Sequence, residues 1–233
     1  PAANRSYFYP SAGVSAILSQ LLRLPEAFSY LKLRGSWAQV GNGTSPYLLQ
    51  RTATSIAGGS LGYILLDATL PNTQLRPEKT TSKEIGLEMS LFDSRIGLDL
   101  TLYKTNTNDQ LFRQDLPVGS GAASFFTNGG DVENRGIEII LNTTPVKTKN
   151  FTWDLNFNYA ANHNVVKKIS ADIPRLIVGG DTYMRDFVLE EGKPFGLIYG
   201  KGFRRNDKGE VLVGANGLPQ LSAGKTVLLG NIN

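Results

Sequence analysis

The chain has 233 residues and a formal charge of +4; with 41% hydrophobic and 19% charged residues it is too apolar to be disordered throughout. Its 24 Lys and Arg are scattered among 20 Asp and Glu without a dense basic run, so a nucleic-acid partner is not expected. It has no cysteine, which excludes disulfides and thiolate metal sites, and no apolar run approaching the ~20 residues that a membrane helix needs.

Period-two alternation dominates the chain and helical periodicity is almost absent. Residues 8–18 read as a weak strand. Leu31, Leu33 and Trp37 then alternate with Lys32, Arg34 and Ser36. Over 83–92, Ile85, Leu87, Met89 and Leu91 share one face and Glu84, Gly86, Glu88 and Ser90 the other. Asp93-Ser94 turns the chain, and Ile96, Leu98, Leu100 and Leu102 continue against Gly97, Asp99, Thr101 and Tyr103. A second hairpin joins Ile137, Ile139 and Leu141, through a turn at 145–150, to Phe151, Trp153, Leu155, Phe157 and Tyr159. Phe195, Leu197 and Tyr199 read as a seventh strand.

Connections alternate in length along the chain. Those near 19–30, 93–95 and 145–150 are short, and those near 41–82, 112–134 and 164–194 are long. In a meander every second connection emerges at the same end, so short turns gather at one end and long loops at the other. The expected fold is therefore all-β: an antiparallel meander forming part of a transmembrane β-barrel, with short periplasmic turns and long extracellular loops. Phe92, Phe151 and Trp153 beside the turns, with Trp37, Tyr103 and Tyr159 toward the loops, supply two candidate aromatic girdles. The same alternation also fits a soluble β-rich module, such as a carbohydrate-binding or adhesin domain, whose inner face packs on a second sheet.

Catalytic and metal chemistry find little support. His163 is the sole histidine, which leaves no zinc set or His-based triad. Glu88, Asp99, Glu138 and Asp154 lie on polar strand faces, where a wet barrel interior accounts for them better than a glycosidase pair. Gly119-Ser120-Gly121 is followed by no Lys-Ser/Thr and opens no helix, so it is no phosphate cradle. No catalytic residue, metal or cofactor is expected. Tyr47, Tyr63, Phe125, Phe126 and Tyr183 fall in the long loops and are the candidate contacts for a ligand or a lid protein, with loop packing as the plainer alternative.

Several blocks, in order, resemble the late barrel region of SusC/RagA-type TonB-dependent transporters of the Bacteroidetes. They are Leu31-Lys32-Leu33-Arg34-Gly35-Ser36-Trp37 with Gly41-Asn42; Pro71-Asn72 through Glu78-Lys79-Thr80 to Ile85-Gly86-Leu87; Asn128-Gly129-Gly130 through Asn134-Arg135-Gly136-Ile137-Glu138; Phe151-Thr152-Trp153 with Asn156-Phe157-Asn158 and Asn162-His163-Asn164-Val165; and Glu191-Gly192-Lys193-Pro194-Phe195-Gly196 with Tyr199-Gly200. Pro77 departs from the family's usual Trp, and Lys201 from a frequent aromatic.

The resemblance implies an outer-membrane nutrient transporter taking oligosaccharides or peptides, embedded in outer-membrane lipid. It further implies a SusD-like surface lipoprotein as lid and a TonB complex acting through a segment missing here. On that reading residues 1–233 are a partial barrel of about seven strands, with plug and TonB box absent, and would not transport alone.

Overall fold

The computed structural model describes residues 8–43, 48–58, 62–169, 175–180, 183 and 185–231. Six long strands build one antiparallel sheet: β1 (Ser11–Ile17), β2 (Phe28–Asn42), β6 (Glu78–Leu91), β7 (Ile96–Asn108), β10 (Asp131–Lys147) and β11 (Thr152–Lys168). They lie side by side in chain order, with β1 and β11 as the two edges, so the sheet is an open arc. Five of them run 13 to 17 residues, longer than the roughly 9–11 that cross a bilayer.

The register joins the separate alternations into continuous rows. Leu33 pairs with Leu87, Leu87 with Leu100, Leu100 with Ile139, and Ile139 with Tyr159. One row away, Leu31, Met89, Leu98, Leu141 and Phe157 are matched in the same way. Because side chains alternate across the sheet, all these residues emerge on one face. None of the described residues covers that face: Val14 is 72% and Ile85 61% exposed. A soluble sandwich would bury it against a second sheet.

Short connections gather at one end. β6 and β7 are joined by a tight turn in which Phe92, Asp93 and Ser94 all have φ between 53° and 62°, a left-handed path suited to the twist of a hairpin. β1 and β2 are joined by 18–27, which includes one short helical turn, Leu18–Leu21. The β10–β11 turn is shorter than the expected 145–150, because β10 runs through Pro145 to Lys147. The ladder shifts register between Thr143 and Val146, and this irregularity accommodates a residue without an N–H.

At the other end the long connections carry strands of their own. β3 (Ala53–Ile56) and β4 (Tyr63–Leu66) form a hairpin, and β5 (Thr69–Leu70), β9 (Ser124–Asn128) and β8 (Leu111–Asp115) form a three-stranded sheet. β12 (Arg175–Gly180), β13 (Arg185–Glu190), β14 (Leu197–Gly200) and β15 (Val227–Asn231) form a four-stranded one. The expected seventh strand therefore exists as β14 but pairs within this separate sheet rather than with β11. Its chain is held at the tip of β11 by backbone bonds between Val166 and residues 192–193.

The buried core also lies at this end. Phe112, Val132, Val166, Ile169, Leu176 and Leu189 pack together, with Val178 and Phe195 against them. The cluster ties β8, the four-stranded sheet and the tips of β10 and β11 into one packed base for the loops.

Candidate functional site

Opposite the apolar rows, the same strands present a polar face whose central feature is a charge ladder. Arg34 on β2 pairs with Gly86 on β6, and Gly86 with Thr101 on β7. A β-carbon at Gly86 would collide with the Arg34 guanidinium, so the glycine leaves a path over the middle strand. Arg34 crosses it to donate to both carboxylate oxygens of Asp99, at 3.1 and 3.2 Å, and to Thr101 Oγ1 at 2.6 Å. Glu84 lies 3.5 Å from Arg34 Nε, and Lys32 donates to Glu88 at 3.3 Å.

Toward the loop end Tyr103 repeats the device. Its ring lies over Gly136, where a β-carbon would strike it, and its hydroxyl donates to Asn162 at 3.2 Å. Tyr103 therefore belongs to the polar face and not to an aromatic girdle, whereas Trp37 and Tyr159 remain on the apolar face. Ser36, Ser82, Glu84, Thr101, Thr105 and Glu138 line a shallow polar depression beside it.

Polar residues of the recognised blocks anchor the loops. Asn128 accepts from the Arg76 N–H at 2.7 Å and donates to the carbonyls of Arg76 and Asp109 at 2.7 and 2.8 Å. Glu78 accepts from the Leu111 N–H at 2.7 Å, and the buried Asn164 accepts from the Phe195 N–H at 2.7 Å. Asp67, beside the β3–β4 hairpin, accepts from the Thr69 N–H at 2.8 Å, and that bond holds its carboxyl below the usual carboxylate range.

The loop aromatics do not converge on one spot. Tyr63 opens β4 and is exposed; Phe125 and Phe126 are adjacent on β9, half-buried, and point to opposite faces of the three-stranded sheet. Tyr183, 74% exposed, lies between β12 and β13. Tyr47 lies outside the described residues. Among the described residues no cluster of three or more His, Cys, Asp or Glu is arranged to hold a metal.

A sheet with an uncovered apolar face, a charged opposite face and loops gathered at one end is the wall of a membrane barrel. The family model for the TonB dependent receptor-like β-barrel matches residues 1–226. The chain belongs to that family. It is 32% identical over 237 positions to the TonB-dependent receptor P26 of Formosa agariphila, covering 95% of this chain and 23% of that protein. It is 30% identical over 200 positions to the TonB-dependent receptor SusC of Bacteroides thetaiotaomicron, covering 81% of this chain and 19% of SusC. The fold superposes on the RagAB peptide importer in its closed-closed state with a TM-score of 0.75 at 22% identity, over 96% of this chain and 25% of that one.

The chain thus spans about a fifth to a quarter of the length of these relatives. It is a SusC/RagA-type segment of an outer-membrane barrel, from a family of receptors rather than enzymes. In an outer-membrane barrel an apolar face of this kind is turned outward and a polar one lines the lumen, with the long loops extracellular. The soluble-module alternative is not favoured.

Proposed function

We propose that this chain is a six-stranded arc of the wall and mouth of a transporter that imports oligosaccharides or peptides. Residues 1–233 form part of one barrel, whose plug and TonB-contacting segment lie elsewhere in the protein. A SusD-like surface lipoprotein closes the mouth, and the TonB complex supplies energy. The observation that carries this reading is the division of one sheet into a lipid face and a charged lumen face, with packed loop sheets above. The RagAB peptide importer supports the peptide class and the TonB-dependent receptor SusC the TonB dependence; oligosaccharides and the lipoprotein lid follow from the resemblance to SusC/RagA-type transporters.

Within that reading Tyr47, Tyr63, Phe125, Phe126 and Tyr183 contact the ligand or the lid, with Tyr63 the best placed because its hairpin stands clear of the packed base. The wall holds the barrel open and catalyses nothing.

Replacing residues 53–66 by a short flexible linker in the full-length receptor tests the assignment. Uptake of the cognate oligosaccharide or peptide should fall while heat-modifiable migration, the mark of a folded barrel, persists. Loss of the folded barrel with normal uptake per inserted molecule would place these residues in the wall instead.

A further inference from the structure

The apolar rows end abruptly at the extracellular side, and the next row is basic. Lys83 on β6 pairs with Lys104 on β7, Lys104 with Arg135 on β10, and Arg135 with His163 on β11. Trp37 on β2 pairs with Lys83 and extends the row. These residues are two positions beyond Ile85, Leu102, Ile137 and Ala161 and share their parity, so they emerge on the lipid face at the top of the apolar band. All five are exposed.

Little offsets this charge. Among the described residues, Lys83 and Arg135 form no ion pair and no side-chain hydrogen bond. The following row is Gln39, Thr81, Asn106, Glu133 and Val165, so Glu133 is the one carboxylate across both rows. It is nearly buried, lies 2.9 Å from Lys104 and 3.6 Å from Lys167, and fixes the Lys104 ammonium in place while the positive sum remains.

Neighbouring strands are about 4.8 Å apart, so Lys83, Lys104 and Arg135 stand within roughly 10 Å of one another. A strand tilt of about 40° makes such a row climb roughly 3 Å per strand. Long basic side chains absorb that climb by reaching from an apolar surface toward a polar layer.

We propose that this row is a binding site for the phosphate groups of the glycolipid that forms the outer leaflet around the barrel. The acyl chains lie against Ile85, Leu102 and Ile137, the phosphate is held between Lys83 and Arg135 with Lys104 behind it, and the Trp37 indole sits at the same depth. The occupant follows from charge and position together: an anion must approach from the lipid side, at the height where acyl chains meet head groups. Arg135 can take a phosphate with two parallel N–H donors, and Lys83 adds a compact charge.

The test uses the full-length receptor, purified in detergent and stripped of lipid, with binding of a phosphorylated lipid A glycolipid measured by native mass spectrometry. Wild type should bind it. Lys83→Gln/Arg135→Gln should bind roughly 30-fold more weakly, since each basic group near an anionic head-group layer contributes about fivefold. Lys83→Arg/Arg135→Lys, which keeps the charge, should bind like wild type, as should Lys147→Gln/Lys149→Gln at the periplasmic turn. Unchanged binding by the first double variant would overturn the proposal. On wild type alone, equal affinity for the same glycolipid without its phosphates, or for inorganic phosphate as strong as for the glycolipid, would overturn it too.

Discussion

Arg34 and Asp99 are joined by two N–H···O bonds of 3.1 and 3.2 Å although the whole of β6 runs between their strands. The bridge exists because Gly86, in the same row, has no side chain to block it. It staples β2, β6 and β7 on the lumen face, independently of the lipid-facing rows.

That arrangement predicts non-additivity. Arg34→Ala should destabilise the barrel by about 1 kcal/mol, a modest figure because both partners are about a third exposed. Gly86→Ala should displace the guanidinium and cost a similar amount, and the double variant should cost little more than either alone. Unfolding of the full-length receptor in detergent measures all three; full additivity would show that Gly86 does not serve Arg34.

Adjacent residues on β10 test the facing. Ile139 lies in the lipid row with Leu100 and Tyr159, whereas Ile140 pairs with Asp99 on the lumen side and is 44% exposed. Ile139→Lys should cost about 2–4 kcal/mol, the penalty for a charge near the bilayer midplane. Ile140→Lys, placed beside a carboxylate in a wet lumen, should change stability by less than about 1 kcal/mol. A cysteine at 139 should react with a lipid-soluble probe and one at 140 should not. Equal penalties and equal labelling would refute the register.

Asn128→Ala removes three bonds from one loop anchor and should cost about 1–3 kcal/mol locally. The effect should appear as faster amide exchange or proteolysis near Arg76 and Leu111, with membrane insertion unchanged. Unaltered protection there would show that the anchor is redundant.

Asp67 gives a pH-dependent effect. Its carboxyl is held below the ordinary value chiefly by the Thr69 N–H, so its contribution is fully present above the ordinary carboxylate range. It is lost as pH falls through the lowered value. The Thr69 amide, followed by NMR, should keep its hydrogen-bonded shift at neutral pH and lose it only below the ordinary carboxylate range. Asp67→Asn should blunt that transition; an identical titration in the variant would exclude the assignment.

The membrane-spanning middles of the strands are legible in the sequence because lipid on one side and water on the other impose a strict two-residue period. The same logic explains what is not legible. Beyond the bilayer both faces are wet, so β6 begins at Glu78 and β11 continues to Lys168 without any apolar alternation to announce them. There the ladder is supported by polar pairs such as Thr80 with Thr107 and Ser82 with Thr105, at 3.0 and 3.2 Å. Tyr103 was readable as a rim aromatic by position, but its parity and the room over Gly136 send it inward. The Arg34–Asp99 bridge needed the pairing of three strands, which no single alternation contains. The strands within the long connections have too few residues each to show a period, and the loop aromatics carry no spacing that would bring them together.

The knot of Phe112, Val132, Val166, Ile169, Leu176 and Leu189 gives the molecule two unlike halves. Its stem is lipid-soluble, with apolar rows one side chain deep that depend on the bilayer to cover them. Its crown has the inward packing of a small water-soluble protein, riding on the strand tips. Urea should loosen the crown and short-chain detergents the stem, each with its own threshold. A crown with its own buried core leaves the exposed hairpin tips free of the demands of insertion, so their sequence can change without altering how the stem enters the membrane.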